Sequence, residues 1–190
     1  MWNPGGRAPP TQPPGFRASA QRIRTLESFG CEPLQRAEPL ISFRGTFEHT
    51  LDAKHRLTIP AKFRAALAGG VVLAASSETT EAAPRSIAIW TPDAYDAYTS
   101  TALAGISPLS PKARDLKRFF FNYSHDTELD SANRVMIPPM LMEYAGLDKD
   151  VVVTGSGECL EVFDRARYDA YSEDVLTRVP EIAASLGDTT

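Results

Sequence analysis

Two stretches of this chain set an aspartate four positions before an arginine, an arrangement in which a carboxylate and a guanidinium can close a tight loop. Residues 51–64 read Leu-Asp-Ala-Lys-His-Arg-Leu-Thr-Ile-Pro-Ala-Lys-Phe-Arg, and residues 129–142 read Leu-Asp-Ser-Ala-Asn-Arg-Val-Met-Ile-Pro-Pro-Met-Leu-Met. Placing Leu51 on Leu129 aligns Asp52 with Asp130, Arg56 with Arg134, Ile59 with Ile137 and Pro60 with Pro138, without a gap. An arginine fork pairs bidentately with guanine O6 and N7, while a lysine acts as a point charge on phosphate or base. Arg56, Arg134 and the loop-tip Lys54 therefore suit an anionic partner such as nucleic acid, or plain solvation, with Lys62 and Arg64 just beyond them. The aspartates have a second use, because an Asp at a loop entrance accepts hydrogen bonds from turn N–H groups and lies close to an Arg at the exit. On that reading each Asp/Arg pair shapes its loop and touches no partner.

Metal or acid/base chemistry is the competing possibility, drawing on His49, His55 and His125 beside Asp52, Asp126 or Asp130. The second copy argues against it, with Thr127 where His49 stands and Asn133 where His55 stands. The chain has no His-x-x-x-His pair, nucleophile elbow or P-loop. Gly155-Ser156-Gly157 joins two expected strands with no helix behind it, which makes it a turn and not a phosphate cradle. No catalytic residue, metal ligand or cofactor is expected.

Positioning these side chains requires a doubled scaffold. A three-residue hairpin loop needs its last residue in the left-handed region, and that residue is His55 in one copy and Asn133 in the other, both types enriched there among non-glycines. Residues 46–51 and 57–59 read as the paired arms of one hairpin, with Phe47, His49 and Leu51 on one face, and 127–137 as the second hairpin. Pro60 and Pro138 suit the first position of a helix, Phe63 with Leu67 and Leu141 with Tyr144 and Ala145 supply its apolar face, and Gly69 and Gly146 suit its end. Strands are expected at 71–75, 87–90, 151–154 and 159–163, and helices from Pro92, from Ser110-Pro111 and over 165–175. The helix from Pro111 buries Leu116, Phe119 and Phe120 and exposes Lys112, Arg114, Lys117 and Arg118, either as a solvated face or as a contact for DNA or a neighbouring subunit. Residues 76–85 read as a polar insertion. Val71-Val72-Leu73 answers Val151-Val152-Val153, and Tyr95-Asp96-Ala97-Tyr98 answers Tyr168-Asp169-Ala170-Tyr171, so the repeat extends well past the loops and implies two equivalent sites.

Residues 43–64, Phe-Arg-Gly-Thr-Phe-Glu-His-Thr followed by the first motif, together with 126–138, resemble the MraZ family, bacterial transcriptional regulators of the division and cell-wall gene cluster. The resemblance spans about 43–174. It implies an α+β, mainly β fold of two pseudo-symmetric, swapped-hairpin, AbrB-like half-barrels with short helices. It also implies a ring-shaped homo-oligomer whose loop Arg and Lys residues read direct repeats of double-stranded DNA in the promoter of its own operon, in the cytoplasm and on the nucleoid. The corresponding organisation is an N-terminal extension over 1–42, a first SpoVT-AbrB-like repeat over 43–104, a connecting basic helix over 105–125, a second repeat over 126–176 and a tail over 177–190. Two departures stand out: His55 and Asn133 replace the usual glycine before the motif arginine, and residues 1–42 precede the family's usual start. An AbrB-like antitoxin that holds a protein partner is the alternative, although such proteins carry one hairpin copy and this chain carries two.

Composition bounds the rest. At 190 residues the chain can bury one good core or two small ones that share surface. There is no long apolar run and no apolar segment in the first thirty residues, so neither a membrane span nor a signal peptide is expected. Cys31 and Cys159 have neither metal spacing nor the count of a disulfide framework. The net charge of −4 runs against nucleic-acid binding unless the basic footprint is local. It is local: residues 52–64 hold Lys54, Arg56, Lys62 and Arg64 against Asp52 alone, whereas 126–146 hold Arg134 against Asp126, Glu128, Asp130 and Glu143. Residues 1–42, rich in Pro and Gly with scattered Arg and no apolar period, cannot offset their ordering entropy and are expected to be disordered. Deleting them should leave the melting temperature and assembly size unchanged, as checked by calorimetry and light scattering.

Overall fold

A computed structural model describes residues 42–77 and 83–187. The expected extension over 1–42, Cys31 and the middle of the 76–85 loop thus lie almost wholly outside the described residues. The elements run β1 (Thr46–Thr50), β2 (Arg56–Thr58), a single 3-10 turn (Ala61–Phe63), β3 (Val71–Ala75), β4 (Ile87–Trp90), α1 (Pro92–Leu103) and α2 (Pro111–Asn122). They continue with β5 (Ser124–Thr127), β6 (Arg134–Met136), α3 (Pro139–Ala145), β7 (Asp150–Gly155), β8 (Leu160–Asp164) and α4 (Arg165–Gly187). The class is α+β, with eight strands and four α-helices among the described residues.

The strand pairing corrects the hairpin expectation. β1 and β2 follow one another in sequence but do not pair: β1 pairs antiparallel with β7, from Thr46 opposite Thr154 to Thr50 opposite Asp150, and β2 pairs with β6. In the same way β5 leaves β6 and pairs with β3, Val71 opposite Thr127. The physical reason is the number of ladder positions. β2 and β6 are three residues long, and each would leave part of a five- or four-residue neighbour unpaired, whereas β7 and β3 match those neighbours along their length. Backbone donors must find partners, and exchange between the repeats satisfies more of them.

Two sheets result. The larger has the order β1-β7-β8-β4-β3-β5, and the smaller is the β2-β6 ladder. Exchanging the repeats turns the larger order into its own reverse. β3 is buried along its whole length, and successive side chains point to opposite faces. Val71 and Leu73 face the main core with Ile87, Ile89, Val151, Val153, Leu160 and Val162, and the small ladder closes that core with Leu57, Ile59, Val135 and Ile137. Val72, Ala74, Ala88, Trp90 and Cys159 face the other side, beneath Tyr95 and Tyr98 of α1. Cys159 itself lies in the buried bend before β8 and not in the strand, its Sγ 3.1 Å from Ser156 Oγ.

The helices after the two loops also differ from expectation. Pro60 and Pro138 are extended residues preceding the helical turn, with ψ of 135° and 145°, and not its first position. Pro139 takes that position in the second copy, with its fixed φ preset for a helix, and α3 runs to a left-handed Gly146 at φ 58°. The first copy has Ala61 there and makes one 3-10 turn and further turns up to Gly70, which takes the left-handed conformation at φ 120° in place of Gly69. Phe63 and Leu67 reach the core from those turns, so the burial a helix would have provided is met by irregular backbone.

α1 and α2 start at Pro92 and Pro111, with the Thr91 and Ser110 hydroxyls accepting from Ala94 N–H and Ala113 N–H. Phe120 is buried, Leu116 and Phe119 are half-buried, and Lys112, Arg114, Lys117 and Arg118 are exposed. The frayed tail expected from 177 is instead helical through 187, past Pro180, with Glu181, Ala183 and Ala184 favouring continuation. At the other end, the segment at Phe43–Gly45 straps across β7, with Gly155 N–H donating to the Gly45 carbonyl at 2.9 Å and Phe43 buried. A Cβ at Gly155 would collide with the Phe43–Arg44 backbone.

The Leu57–Val135 pair is fully buried at the centre of the small ladder, and the neighbouring Met136 is 55% exposed. Leu57→Ala should cost about 2–5 kcal/mol, and Met136→Ala should stay within about 0.5 kcal/mol. Denaturant unfolding measures both.

Candidate nucleic-acid interface

Each loop is built around its aspartate. Asp52 Oδ1 accepts from the backbone N–H groups of Lys54 at 2.8 Å and Arg56 at 3.0 Å, and Oδ2 accepts from Arg56 Nε at 2.6 Å. Asp130 repeats the pattern, with Oδ1 accepting from Ala132 N–H and Arg134 N–H at 2.9 Å each and Oδ2 from Arg134 Nε at 2.9 Å. The backbone closes each turn, His55 N–H donating to the Asp52 carbonyl at 2.9 Å and Asn133 N–H to the Asp130 carbonyl at 2.8 Å. His55 and Asn133 sit at φ 57° and 56°, the two non-glycine residues at positive φ among those described. Their side chains tolerate that region where a β-branched residue would not.

The loops are also locked to one another. Ile137 N–H donates to the His55 carbonyl and Ile59 N–H to the Asn133 carbonyl, both at 3.0 Å, at the two ends of the β2-β6 ladder. Arg134 Nη1 lies 3.7 Å from Asp52 Oδ2, so one carboxylate serves the arginines of both repeats. Local spacing gave no signal of this pair, which depends on the two short strands meeting each other.

The electrostatics follow from the contacts. Burial pushes the Asp52 carboxyl up, but the N–H groups of Arg56 and Lys54 and the Arg56 guanidinium outweigh it and hold the carboxyl at about 2. The hydrogen bond from the Arg134 side chain, with the backbone N–H behind it, lowers Asp130 as well. Arg134 is raised in turn by its bond to Asp130 and by the charges of Asp130 and Asp52. Both arginines keep about a third of their side-chain surface open, 29% for Arg56 and 30% for Arg134. Lys54 is exposed at the tip of its loop, and among the described residues its ammonium has no hydrogen-bond or ion-pair partner.

Lys62 and Arg64 are engaged elsewhere. The Lys62 ammonium donates to the Arg44 carbonyl and lies 4.7 Å from the Phe47 ring centre and 4.5 Å from that of Phe63, fastening the N-terminal strap. Arg64 Nε donates to the Ile59 carbonyl at 2.9 Å. The three histidines stand apart in the fold, His49 half-buried on β1 opposite Val151, His55 in its loop and His125 on β5 opposite Leu73. Burial lowers the His49 pKa. Among the described residues no three His, Cys, Asp or Glu side chains gather as a metal ion would need. No described helix is long and apolar enough to cross a membrane.

A doubled Asp-x-x-x-Arg loop on exchanged strands is the arrangement against which known proteins can be compared. The sequence model of the MraZ protein, described as antitoxin-like, matches residues 42–119 and again 120–184. The chain belongs to the MraZ family. It is 36% identical over 135 residues to "Transcriptional regulator MraZ" of Thiobacillus denitrificans, a match covering 71% of this chain and 89% of that protein. The protein of that name from Symbiobacterium thermophilum is 35% identical over 143 residues, covering 75% of this chain and 99% of the relative. The one from Treponema pallidum is 38% identical over 133 residues, covering 68% and 84%. The boundary between the two matched segments, at Phe119 and Phe120, falls in the last turn of α2, and each segment contributes one loop.

The low Asp52 pKa fixes the sign of a pH effect. With a folded value near 2 against 3.8 for an ordinary Asp, its contribution is complete above about pH 4 and is lost as pH falls through 2. Asp52→Asn should therefore melt below the parent protein at pH 5–7, and the gap should close as the pH approaches 2. Thermal melts across a pH series check this.

Proposed function

We propose that this MraZ-family chain is a sequence-specific, DNA-binding transcriptional regulator that acts on direct repeats in the promoter of its own division and cell-wall gene cluster. The observation that carries the reading is the pair of cross-locked loops presenting Lys54, Arg56 and Arg134. A guanidinium held by a carboxylate loses little side-chain entropy when it meets a base edge, which suits Arg to bidentate readout. The name borne by the relatives supports the same assignment.

In this reading the repeats, 43–104 and 126–176 with α2 between them, are intertwined AbrB-like half-barrels. The subunits form a closed ring, so that an acidic chain with few basic contacts gains affinity by engaging several DNA repeats at once. Such occupancy of a promoter excludes polymerase, the action of a repressor, and places the protein on the nucleoid. A protein-binding role, the antitoxin-like alternative, draws support from the C-terminal part of α4, where Leu176, Val179 and Ile182 are exposed.

The deciding experiment titrates the purified protein with its own upstream DNA carrying one, two or three repeats, with molar mass measured by light scattering. Affinity should rise far more than in proportion to repeat number. A monomer with repeat-independent affinity would remove both the ring and the avidity. Lys54→Ala should also flatten the dependence of log affinity on log salt by about 0.9 for each phosphate that the lysine neutralises. An unchanged slope takes Lys54 off the binding surface.

A further inference from the structure

The two loops share a shape but not a charge environment. Arg56 is held by one carboxylate, Nε donating to Asp52 Oδ2 at 2.6 Å. Among the described residues Asp52 is the one carboxylate that pairs with Arg56. Arg134 is held at three nitrogens: Nε and Nη2 by Asp130 Oδ2 at 2.9 and 2.8 Å, and Nη1 by Asp52 Oδ2 at 3.7 Å. A bidentate contact to guanine O6 and N7 uses two nitrogens of the fork. Arg56 can offer its outer edge with a single carboxylate on its fork, whereas Arg134 has Asp130 on its Nε and Nη2 side and Asp52 beside Nη1, so its outer edge is the more encumbered. The loop tips differ in the same sense, with Lys54 in the first and Ala132 in the second.

We propose that Asp52 is a positioning residue for both repeats and that it makes them unequal: it orients Arg56 as the leading reader of a guanine edge while restraining Arg134, which Asp130 also holds. The proposal rests on the DNA-binding reading above and adds the division of labour between the loops. Asp52 belongs to the first loop and acts on both arginines, while among the described residues Asp130 forms ion pairs with Arg134 only. Substituting the two equivalent aspartates should therefore have different reach.

The test has one arm without DNA and one with it. In the free protein, the terminal nitrogens of arginine add to the two carbonyl carbons of phenylglyoxal, and peptide mass spectrometry follows each site. Arg56 should be modified faster than Arg134 in the parent protein. Asp52→Asn should accelerate Arg134 and change the rate at Arg56, whereas Asp130→Asn should accelerate Arg134 and leave Arg56 as it was. Folding of each variant is checked by its melting curve, and Asp52→Glu, which keeps the charge, should restore slow modification of Arg134. In the DNA arm, fluorescence anisotropy compares a repeat-bearing duplex with a scrambled one. Arg56→Ala should lower the preference for the repeats about tenfold, within the range for one bidentate guanine contact, and Arg134→Ala should lower it by clearly less. Equal losses for the two alanine variants, or an Arg134 rate that ignores Asp52→Asn, overturn the proposal. If the modification pattern holds while neither alanine variant weakens binding, the carboxylate geometry stands, but the proposal falls with its DNA-binding premise.

Discussion

The structure depends on one constraint, that the backbone donors of β1 and β5 find partners only in the other repeat. Neither strand pairs with its neighbour in sequence, and β2 and β6 pair with each other. Once β1 lies on β7 and β5 on β3, the rest follows. β3 and β4 are buried on both faces, the small ladder is drawn over the main core, and the two loops that leave it emerge side by side. The main core draws on both repeats, and Leu57 and Val135 fill a single space from two parts of the chain.

The loops inherit rigidity from that arrangement. A turn closed only by its aspartate would move with the strand ends, but here the carbonyls of the left-handed residues, His55 and Asn133, are themselves acceptors in the ladder. Replacing glycine by His or Asn at such a position trades backbone freedom for a side chain that must tolerate positive φ. The chain accepts this in both copies. Asp52 then joins the loops a second time, through side chains, and connects their electrostatics as well as their shape.

What the sequence made legible was local. The short apolar runs at 71–75 and 87–90, the helix starts at Pro92 and at Ser110-Pro111, and the left-handed positions at His55 and Asn133 each depend on a few neighbouring residues, and composition and turn chemistry report them directly. The strand partners were not legible from those signals, since β1 and β7 are separated by most of the described chain and no local pattern chooses between a hairpin and an exchange. The helix beyond Thr177 was hidden by Pro180, which local rules read as a stop, and the weak turn after Pro60 was hidden by a copy that does form a helix. The Asp52–Arg134 contact failed to show for the same reason as the strand exchange, because it is a property of the meeting of two segments and not of either one.

The exchange of β1 onto β7 also sets a timetable for biosynthesis. A ribosome finishes Thr46–Thr50 on the order of 100 residues before it finishes Asp150–Gly155, and at about 5–20 residues per second the wait is on the order of ten seconds. During that time a strand with Phe47 and Leu51 on one side has neither its ladder nor its core. The nascent first half is thus a natural client for holding chaperones. Two chains emerging close together on one messenger could also complete the exchange with each other, so that translation rate and polysome crowding bear on whether the strands close within one molecule or between two.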